Sequence, residues 1–402
     1  MGDFFEYLKS EWSFASAHPE LAFAILVIGY GILMIGFFAA FAGPVTWIER
    51  RVAGRMQCRI GPNRVGPQGF LQWLADGMKN FLKEDLIPND ADRILFRLAV
   101  YPVFAGVFLT FVVLPFGPWI VGADLDVGIV YLLAVTALVV TGIIMSGWAS
   151  NSKWALLGGI RSAAQMVSYE VAAGMALLTA IIPGGSLSLQ GIIEHQGGWP
   201  WQWLVFFSPA TFVAFFVYFV ASLAEGNRTP FDLPEAESEL VSGYNTEYSG
   251  MRFLFFAFAE WGNLYVIGAV ITAVFLGGWR IPGVDLATQT NNLWLQLLGA
   301  AIFIAKASIL VSVTIWLRWT LPRLRVDQLM MMCWKYFVPI GIGLVVFSLV
   351  WQLVAAAVPT WVTGAVSVLL TLAGAALVAG MFWRAWYNIR SGKDTPVYKW
   401  LI

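Results

Sequence analysis

The sequence predicts an all-α polytopic membrane protein with about nine transmembrane helices and one amphipathic helix on the cytoplasmic side. Of the 402 residues, 59% are hydrophobic and only 12% are charged, whereas charged residues make up roughly a quarter of a soluble domain. Apolar runs of roughly 20 residues, the length that crosses a bilayer, recur along the chain. Because the backbone in lipid must satisfy its own hydrogen bonds, these runs are predicted to be helices rather than an open sheet.

The predicted spans follow one another with polar connections between them. They cover residues 21–47, 98–121, 127–149, 154–182, 203–223, 251–276, 293–317, 336–358 and 361–386. We therefore divide the chain into an N-terminal periplasmic segment (1–20), a membrane domain (21–358) that contains all but the last span, and a C-terminal span with a cytoplasmic tail (359–402). No internal repeat is evident, and we expect no soluble domain.

Residues 68–83 follow a different pattern from the spans. The apolar residues of this stretch recur at helical spacing on one side, and polar residues occupy the other. The apolar set is Phe70, Leu71, Leu74, Met78, Phe81 and Leu82, and the polar set is Gln72, Asp76, Lys79, Asn80 and Lys83. Such a helix is too polar to span, so we expect it to lie along the membrane or on a partner.

The distribution of lysine and arginine predicts the orientation of the chain in the membrane. With the N-terminus placed in the periplasm, nearly all of these residues fall on one side, and only Lys9 and Arg280 fall on the other. By the positive-inside rule, the basic loops, the amphipathic helix and the C-terminus then face the cytoplasm. Lys+Arg and Asp+Glu balance at 24 each, so we expect no nucleic-acid partner.

Few residues of the chain are suited to hold a metal or a cluster. Cys58 and Cys333 are the only cysteines and lie in basic stretches, so no disulfide is expected. Because neither a CxxC nor an HExxH pattern occurs, we expect no metal or iron–sulfur cluster in this chain. The N-terminus also lacks the features of a removable signal peptide.

The loop at residues 225–249 is dense in carboxylates and lies between two predicted spans. Its acidic residues are Glu225, Asp232, Glu235, Glu237, Glu239 and Glu247, and they stand against Arg228 and Arg252. One interpretation is a solvated face, which is the usual meaning of a run of charges. The other is a proton relay or switch, because closely spaced carboxylates share protons and titrate together.

Three further ionisable residues lie inside predicted spans. They are Glu170, Glu260 and Lys306. A charge near the bilayer centre costs about 2.5–3.5 kcal/mol on insertion scales, which marks such residues as functional candidates. The alternatives are buried ion pairs or contacts with a neighbouring subunit, and a proton-accessible polar path in which buried carboxylates exchange protons near neutral pH.

The basic segment at residues 49–64 also allows two interpretations. It is either a topology anchor or, through the glycines and prolines of GPNRVGP, a fixed loop that presents Arg59 and Arg64 to a ligand or partner.

Four blocks of the sequence resemble a membrane-subunit family of respiratory complex I, the H subunit of bacterial NADH:quinone oxidoreductase, whose mitochondrial counterpart is NADH dehydrogenase subunit 1. The blocks are ERRVAGRMQCRIGPNRVGPQGFLQWLADGMKNFLKED, SYEVAAG, LAEGNRTPFDLPEAESELVSGYNTEY and PRLRVDQLMMMCWK. Trp261 and Val326 depart from the family, since many members have tyrosine at both positions.

The resemblance implies a membrane subunit that forms a quinone chamber where the peripheral arm docks, with quinone as substrate and FMN and iron–sulfur clusters in partner subunits. The residues it implies for the chamber are Glu49, Arg50, Gln57, Arg59, Phe70, Asp76, Arg228, Asp232, Glu235 and Trp261. The residues it implies for a chain of acids towards the pumping subunits are Glu170, Glu225, Glu237, Glu239 and Glu260. Those it implies for the cytoplasmic surface include Arg318 and Arg323. Partners would be the peripheral-arm and small membrane subunits of the complex, together with membrane lipid.

Two alternatives remain at this point. One is the equivalent subunit of a membrane-bound hydrogenase or of another quinone reductase. The other is an autonomous proton-coupled transporter, against which stand the absence of a visible inverted repeat and the concentration of acids at the cytoplasmic ends.

Overall fold

The computed structural model describes residues 16, 18–234, 240–358 and 360–392, and the secondary structure of these residues is helical. The α-helices are α1 (Pro19–Met56), α2 (Gln72–Leu82), α3 (Arg93–Leu98), α4 (Val100–Thr110), α5 (Gly128–Ala149), α6 (Lys153–Gly184), α7 (Leu189–His195), α8 (Pro209–Glu225), α9 (Gly250–Phe275), α10 (Leu286–Asn291), α11 (Leu293–Thr320), α12 (Val326–Met331), α13 (Val338–Ala357) and α14 (Thr360–Gly392). Short 3₁₀ turns occur at Pro67–Gly69, Pro200–Gln202, Leu204–Phe206 and Gly243–Asn245, and one π turn, Met332–Phe337, joins α12 to α13.

The predicted all-α polytopic class is confirmed. Within the described residues, 8 helical segments are long and apolar enough to cross a bilayer, and α8 is a shorter apolar helix of 17 residues. The amphipathic helix predicted over residues 68–83 is α2, which is preceded by the 3₁₀ turn and has no fully buried residue.

Two span boundaries differ from the prediction at prolines. The second span ends at Thr110 rather than at residue 121, because Pro115 and Pro118 lack the backbone donor that a helix needs. The fifth span begins at Pro209 rather than at residue 203, since Ser208 caps the helix by accepting from the backbone N–H of Thr211 at 3.1 Å.

The first helix is longer than predicted and continues through the basic segment. The helix α1 ends at Met56, so the ERRVAGRM stretch is helical and the irregular loop begins only after it. Hydropathy ends a span where charges begin, whereas glutamate, arginine and alanine are good helix formers that carry the helix past the apolar region.

The core of the bundle lies around α6, which packs against α5, α8 and α13. Alanines at positions 172, 173, 176 and 180 are fully buried on α6, and such small residues let neighbouring helices approach closely. The last helix, α14, contributes no buried residue from its apolar stretch and touches the bundle at the 3₁₀ turns of residues 200–206.

The helix α9, which carries Glu260 and Trp261, is fixed at its C-terminal end by side chains from two other segments. Gln196 donates to the carbonyl oxygen of Ala273 at 3.0 Å, and Lys306 donates to that of Leu276 at 2.7 Å. A cation at a helix C-terminus interacts favourably with the helix dipole. These contacts fix the depth of α9 in the bundle.

Candidate functional site

Several helices end together and enclose a cavity of about 300 Å³, called the charged cavity below. Its walls come from α1, α9, α11 and the loop after α8. The lining residues are Thr46, Glu49, Arg50, Arg228, Asn245, Phe253, Ala257, Glu260, Trp261, Arg318 and Trp319. Three arginines therefore face two glutamates across this space, which favours a ligand with electron-rich oxygen atoms.

Glu49 is the central anion of the charged cavity. It is only 4% exposed, and its Oε1 lies 2.5 Å from Nη1 of Arg318 and 3.5 Å from Nη1 of Arg228. Burying a carboxylate is costly unless it is paired and hydrogen-bonded, and the two arginines supply that pairing. The pairing joins α1 to α11 and to the acidic loop.

Arg228 presents donors into the cavity. Its side chain is buried, and its guanidinium lies 4.6 Å from the centre of the Trp261 ring, a cation–π contact. Within the described residues, its Nε and Nη2 atoms have no hydrogen-bond acceptor. Buried donors without a partner are costly, so this arrangement is suited to a ligand oxygen that would accept from Arg228.

A second cavity of about 510 Å³, called the apolar cleft, opens between α1, α2 and α9. Most of its lining is apolar, with contributions from Ala39, Leu74, Met78, Phe81 and Phe258. It shares lining residues with the charged cavity, so the two spaces are neighbours, and these adjoining cavities are called the passage below. The shared residues are Thr46, Arg50, Phe253, Ala257 and Trp261.

Polar contacts hold the amphipathic helix α2 over the apolar cleft. Arg50 of α1 forms an ion pair with Asp76, which lines the cleft. Just past the other end of α2, Asp85 lies 2.9 Å from Nη2 of Arg252 on α9. Ser249 donates its hydroxyl to the carbonyl oxygen of Glu84 at 3.0 Å. The helix is therefore attached both along its length and just beyond its C-terminal end, while its apolar side lines the cleft.

Three other residues predicted for the chamber, Gln57, Arg59 and Phe70, lie in or near the basic loop. Arg59 lines a third cavity of about 410 Å³ together with Arg50, and its Nε donates to the side chain of Gln57 at 2.8 Å. Phe70 packs edge-on against Trp47, with the ring centres 5.7 Å apart. These side chains border the chamber on the side of the basic loop.

Three of the predicted acids, Glu260, Glu225 and Glu170, lie near one another. Glu260 lines both the charged cavity and a narrow cavity of about 20 Å³, and its Oε1 accepts from the hydroxyl of Tyr244 at 3.3 Å. Glu225 lines the other part of the narrow cavity and is buried. Glu170 is half-buried on α6, near enough to Glu225 to interact with it electrostatically.

The acidic loop is only partly described. Asp232 is buried and lies 3.4 Å from Nη2 of Arg323. The predicted site residues Glu235, Glu237 and Glu239 fall outside the described residues. At the end of the loop, the Tyr248 ring stacks on Phe96, and burial raises the pKa of the Tyr248 phenol. That phenol therefore stays protonated and donates to the Phe96 carbonyl at 3.2 Å.

Sequence reasoning missed several polar residues of the passage. It placed Arg318 on the cytoplasmic surface, whereas this side chain reaches Glu49 inside the charged cavity. It assigned no role at the site to Asn227 and Tyr244, which line the narrow cavity, or to Gln165, which contacts Asn227. A glutamine inside an apolar span is the one sequence feature that could have drawn attention to Gln165.

Comparison with known proteins identifies a family for this chain. A model of the family described as NADH dehydrogenase matches residues 28–349. The chain belongs to this family. The resemblance to the H subunit of NADH-quinone oxidoreductase is also confirmed, because curated relatives that carry this name match most of the chain.

Three of these relatives, each named as the H subunit of NADH-quinone oxidoreductase, illustrate the match. The protein of Anaeromyxobacter dehalogenans is 50% identical over 382 residues, which is 92% of this chain and 91% of that protein. The protein of Rhodospirillum rubrum is 48% identical over 84% of this chain and 94% of its own length. The protein of Chlorobaculum tepidum is 46% identical over 81% of this chain and 92% of its own length. The family match ends before α14, so that helix lies outside it.

Proposed function

We propose that this chain is the membrane-arm subunit of a proton-translocating NADH–quinone oxidoreductase that forms the quinone chamber and links quinone reduction to proton movement. One observation carries the proposal, namely the row of neighbouring cavities from the apolar cleft through the charged cavity to the narrow cavity beside Glu225. The first two share five lining residues, and the last two share Glu260. The names of the relatives agree with this function.

The two larger spaces suit the two parts of an isoprenoid quinone. A polyprenyl tail is apolar and enters from lipid, so the cleft between α1, α2 and α9 suits it. The headgroup carries carbonyl oxygens that accept hydrogen bonds, and Arg228 brings buried donors to the charged cavity beside Trp261. Arg50 and Asp76 stand where the two spaces join.

The electrons come from partner subunits in this proposal. The chain has only 2 cysteines and 2 histidines, too few for the cysteine ligands that an iron–sulfur cluster requires. FMN and the clusters would belong to the peripheral arm, which would dock at the basic loop that contains Gln57 and Arg59. Reduction of the quinone to a quinol takes up protons together with the electrons at the headgroup.

In this proposal, the carboxylates transfer protons during quinone reduction. We assign Glu260 as the first acid of the proton route, because it lines both the charged cavity and the narrow cavity. Glu225 follows across the narrow cavity, and Glu170 follows on α6. Glu237 and Glu239 would belong to the same set, and protonation changes along these acids would be passed to pumping subunits in the membrane arm.

The proposal also covers the placement of the chain. It would lie in a bacterial inner membrane with the N-terminus in the periplasm and the C-terminus in the cytoplasm, as the distribution of lysine and arginine predicts. Residues 1–20 would be periplasmic, residues 21–358 would form the quinone-site domain, and residues 359–402 would add a span and a cytoplasmic tail.

Two experiments test the proposal. When this chain is purified from the native membrane in mild detergent, we expect subunits that contain flavin and iron–sulfur clusters to co-purify with it. Recovery of the chain alone, with ion transport after its reconstitution, would instead support the autonomous transporter. Recovery with a hydrogenase module would support the related hydrogenase.

The second experiment replaces Glu225 by glutamine, which keeps the size of the side chain and removes its titration. We expect Glu225→Gln to lower NADH–quinone turnover and proton uptake while NADH oxidation by an artificial acceptor at the flavin stays unchanged. The matched control is Glu20→Gln, at an exposed carboxylate in the first turn of α1. Normal quinone-linked turnover in an assembled Glu225→Gln complex would refute the proton role.

A further inference from the structure

The narrow cavity between Glu260 and Glu225 is the tightest part of the passage. Its volume of about 20 Å³ has room for about one water molecule. The side chains of Asn227, Tyr244 and Asn263 line it beside the two carboxylates. The two carboxylates therefore line one small polar cavity together with three side chains that can hydrogen-bond to a water molecule.

Asn227 is held at this cavity by a buried glutamine from another helix. Gln165 of α6 is only 1% exposed, and its Nε2 lies 2.6 Å from the carbonyl oxygens of both Ala224 and Phe231. The same nitrogen lies 3.2 Å from Oδ1 of Asn227. Gln165 therefore contacts Ala224 at the end of α8 and Asn227 and Phe231 in the acidic loop. These contacts attach this part of the chain to α6.

The conformation of Asn227 needs this support. Its φ is +49°, in the left-handed region that asparagine tolerates better than most residues. Its Nδ2 donates to the Ser162 hydroxyl at 3.2 Å, again on α6. Nδ2 is thus bound to α6, and Oδ1 shares a Gln165 N–H with the nearer carbonyl oxygens of Ala224 and Phe231. These contacts orient the Asn227 carboxamide at the wall of the cavity.

We propose that Gln165 is a positioning residue of the proton route, which holds Asn227 so that its carboxamide keeps a water molecule between Glu260 and Glu225. This inference rests on the proposed function. Gln165 touches neither quinone nor the carboxylates and acts through Asn227. Its effect should therefore fall on the rate of the proton-coupled step and leave quinone binding unchanged.

The test is a double-mutant cycle in the assembled complex. Gln165→Met keeps the length of the side chain and removes its donors, and Asn227→Gly removes the carboxamide while tolerating the positive φ. Each variant removes a hydrogen bond to a buried group, which is costly, so we expect each variant to lower kcat about tenfold. The quinone KM and the flavin-site activity are expected to stay unchanged.

The combination of the two changes decides between positioning and independent roles. If Gln165 acts through Asn227, the double variant is about as slow as either single variant, whereas independent effects would multiply to roughly a hundredfold. The matched control is Gln289→Met, because Gln289 is equally buried and bonds main-chain groups in a loop away from the cavity. We expect Gln289→Met to leave kcat unchanged and to combine with Asn227→Gly without coupling.

The outcomes separate this inference from the function on which it rests. If Glu225→Gln slows turnover but the Gln165 and Asn227 variants keep normal kcat, or multiply their effects, only the inference is overturned. If Glu225→Gln itself keeps normal turnover, the proposed function fails first. Should Gln165→Met not assemble, Gln165→Asn takes its place in the same cycle, because it keeps the amide and shortens its reach. A lower kcat at constant KM that does not multiply with the effect of Asn227→Gly supports the inference, and an unchanged kcat overturns it.

Discussion

Glu49→Gln is the substitution that tests the charged cavity most sharply. Glu49 balances Arg318 at 2.5 Å and Arg228 at 3.5 Å. Removing its charge leaves two guanidinium groups facing each other with one carboxamide oxygen between them. We expect both arginines to turn away from their present positions, so the cavity would lose the donors proposed to orient the headgroup.

The size of the expected loss in Glu49→Gln follows from the burial of Glu49 and of the two arginines that it contacts. Breaking a fully buried ion pair costs about 3–5 kcal/mol. Glutamine keeps an acceptor, and the Arg318 side chain is 26% exposed, so we take about 2 kcal/mol as the expected loss. If that loss appears in the interaction with the headgroup, kcat/KM for quinone falls roughly 30-fold.

The assay measures steady-state NADH oxidation by a short-chain quinone in membranes that contain the assembled complex. NADH oxidation by an artificial acceptor at the flavin reports assembly, and Glu20→Gln on the same helix is the matched control. Adding Arg318→Gln to Glu49→Gln removes one of the repelling charges and is expected to recover part of the loss. A kcat/KM for Glu49→Gln within about twofold of the parent would refute this account of the cavity.

Three further substitutions test other parts of the passage. Gly43→Val should raise the quinone KM, because a Cβ at this position would lie 2.6 Å from the Trp73 ring and push α2 across the cleft. An unchanged KM would contradict the proposal that the cleft binds the quinone tail. Arg59→Ala should raise the quinone KM about fivefold, because the interaction of an exposed charge contributes about 1 kcal/mol to binding. An unchanged quinone KM would instead support the interpretation of Arg59 as a topology anchor. Lys306→Met removes the hydrogen-bond donor to the Leu276 carbonyl oxygen at the end of α9. It should shorten the half-life of activity on heating and leave kcat/KM unchanged at growth temperature. An unchanged half-life would refute the anchoring role of Lys306.

The fold class and most helix positions could be predicted from the sequence because lipid imposes simple rules. Apolar length predicts the spans, and the alternating faces of α2 predict an amphipathic helix. The ends of helices were harder, since hydropathy alone overlooked Pro115 inside the second span and the cap at Ser208. The helix that continues to Met56 shows the same limit, because charge ends a span without ending a helix.

The candidate site was predictable as a set of charges but not as a set of partners. Glu49, Arg228 and Trp261 were expected in one chamber, and they do line one cavity. The partner of Glu49 was not expected, because Arg318 lies 269 positions away and only the crossing of α11 with α1 brings them together. Gln165 was overlooked for a similar reason, since its partners are main-chain carbonyl groups that sequence patterns do not display.

The most direct test of the central claim maps a quinone with photoreactive groups on the complex. One probe carries the group on the ring and the other carries it near the end of the tail, and crosslinked peptides are identified by mass spectrometry. We expect the ring probe to label residues around Glu49, Arg228 and Trp261 and the tail probe to label α2 and α9 along the apolar cleft. Labelling of both probes elsewhere on the chain, or on other subunits alone, would contradict a quinone chamber in this protein.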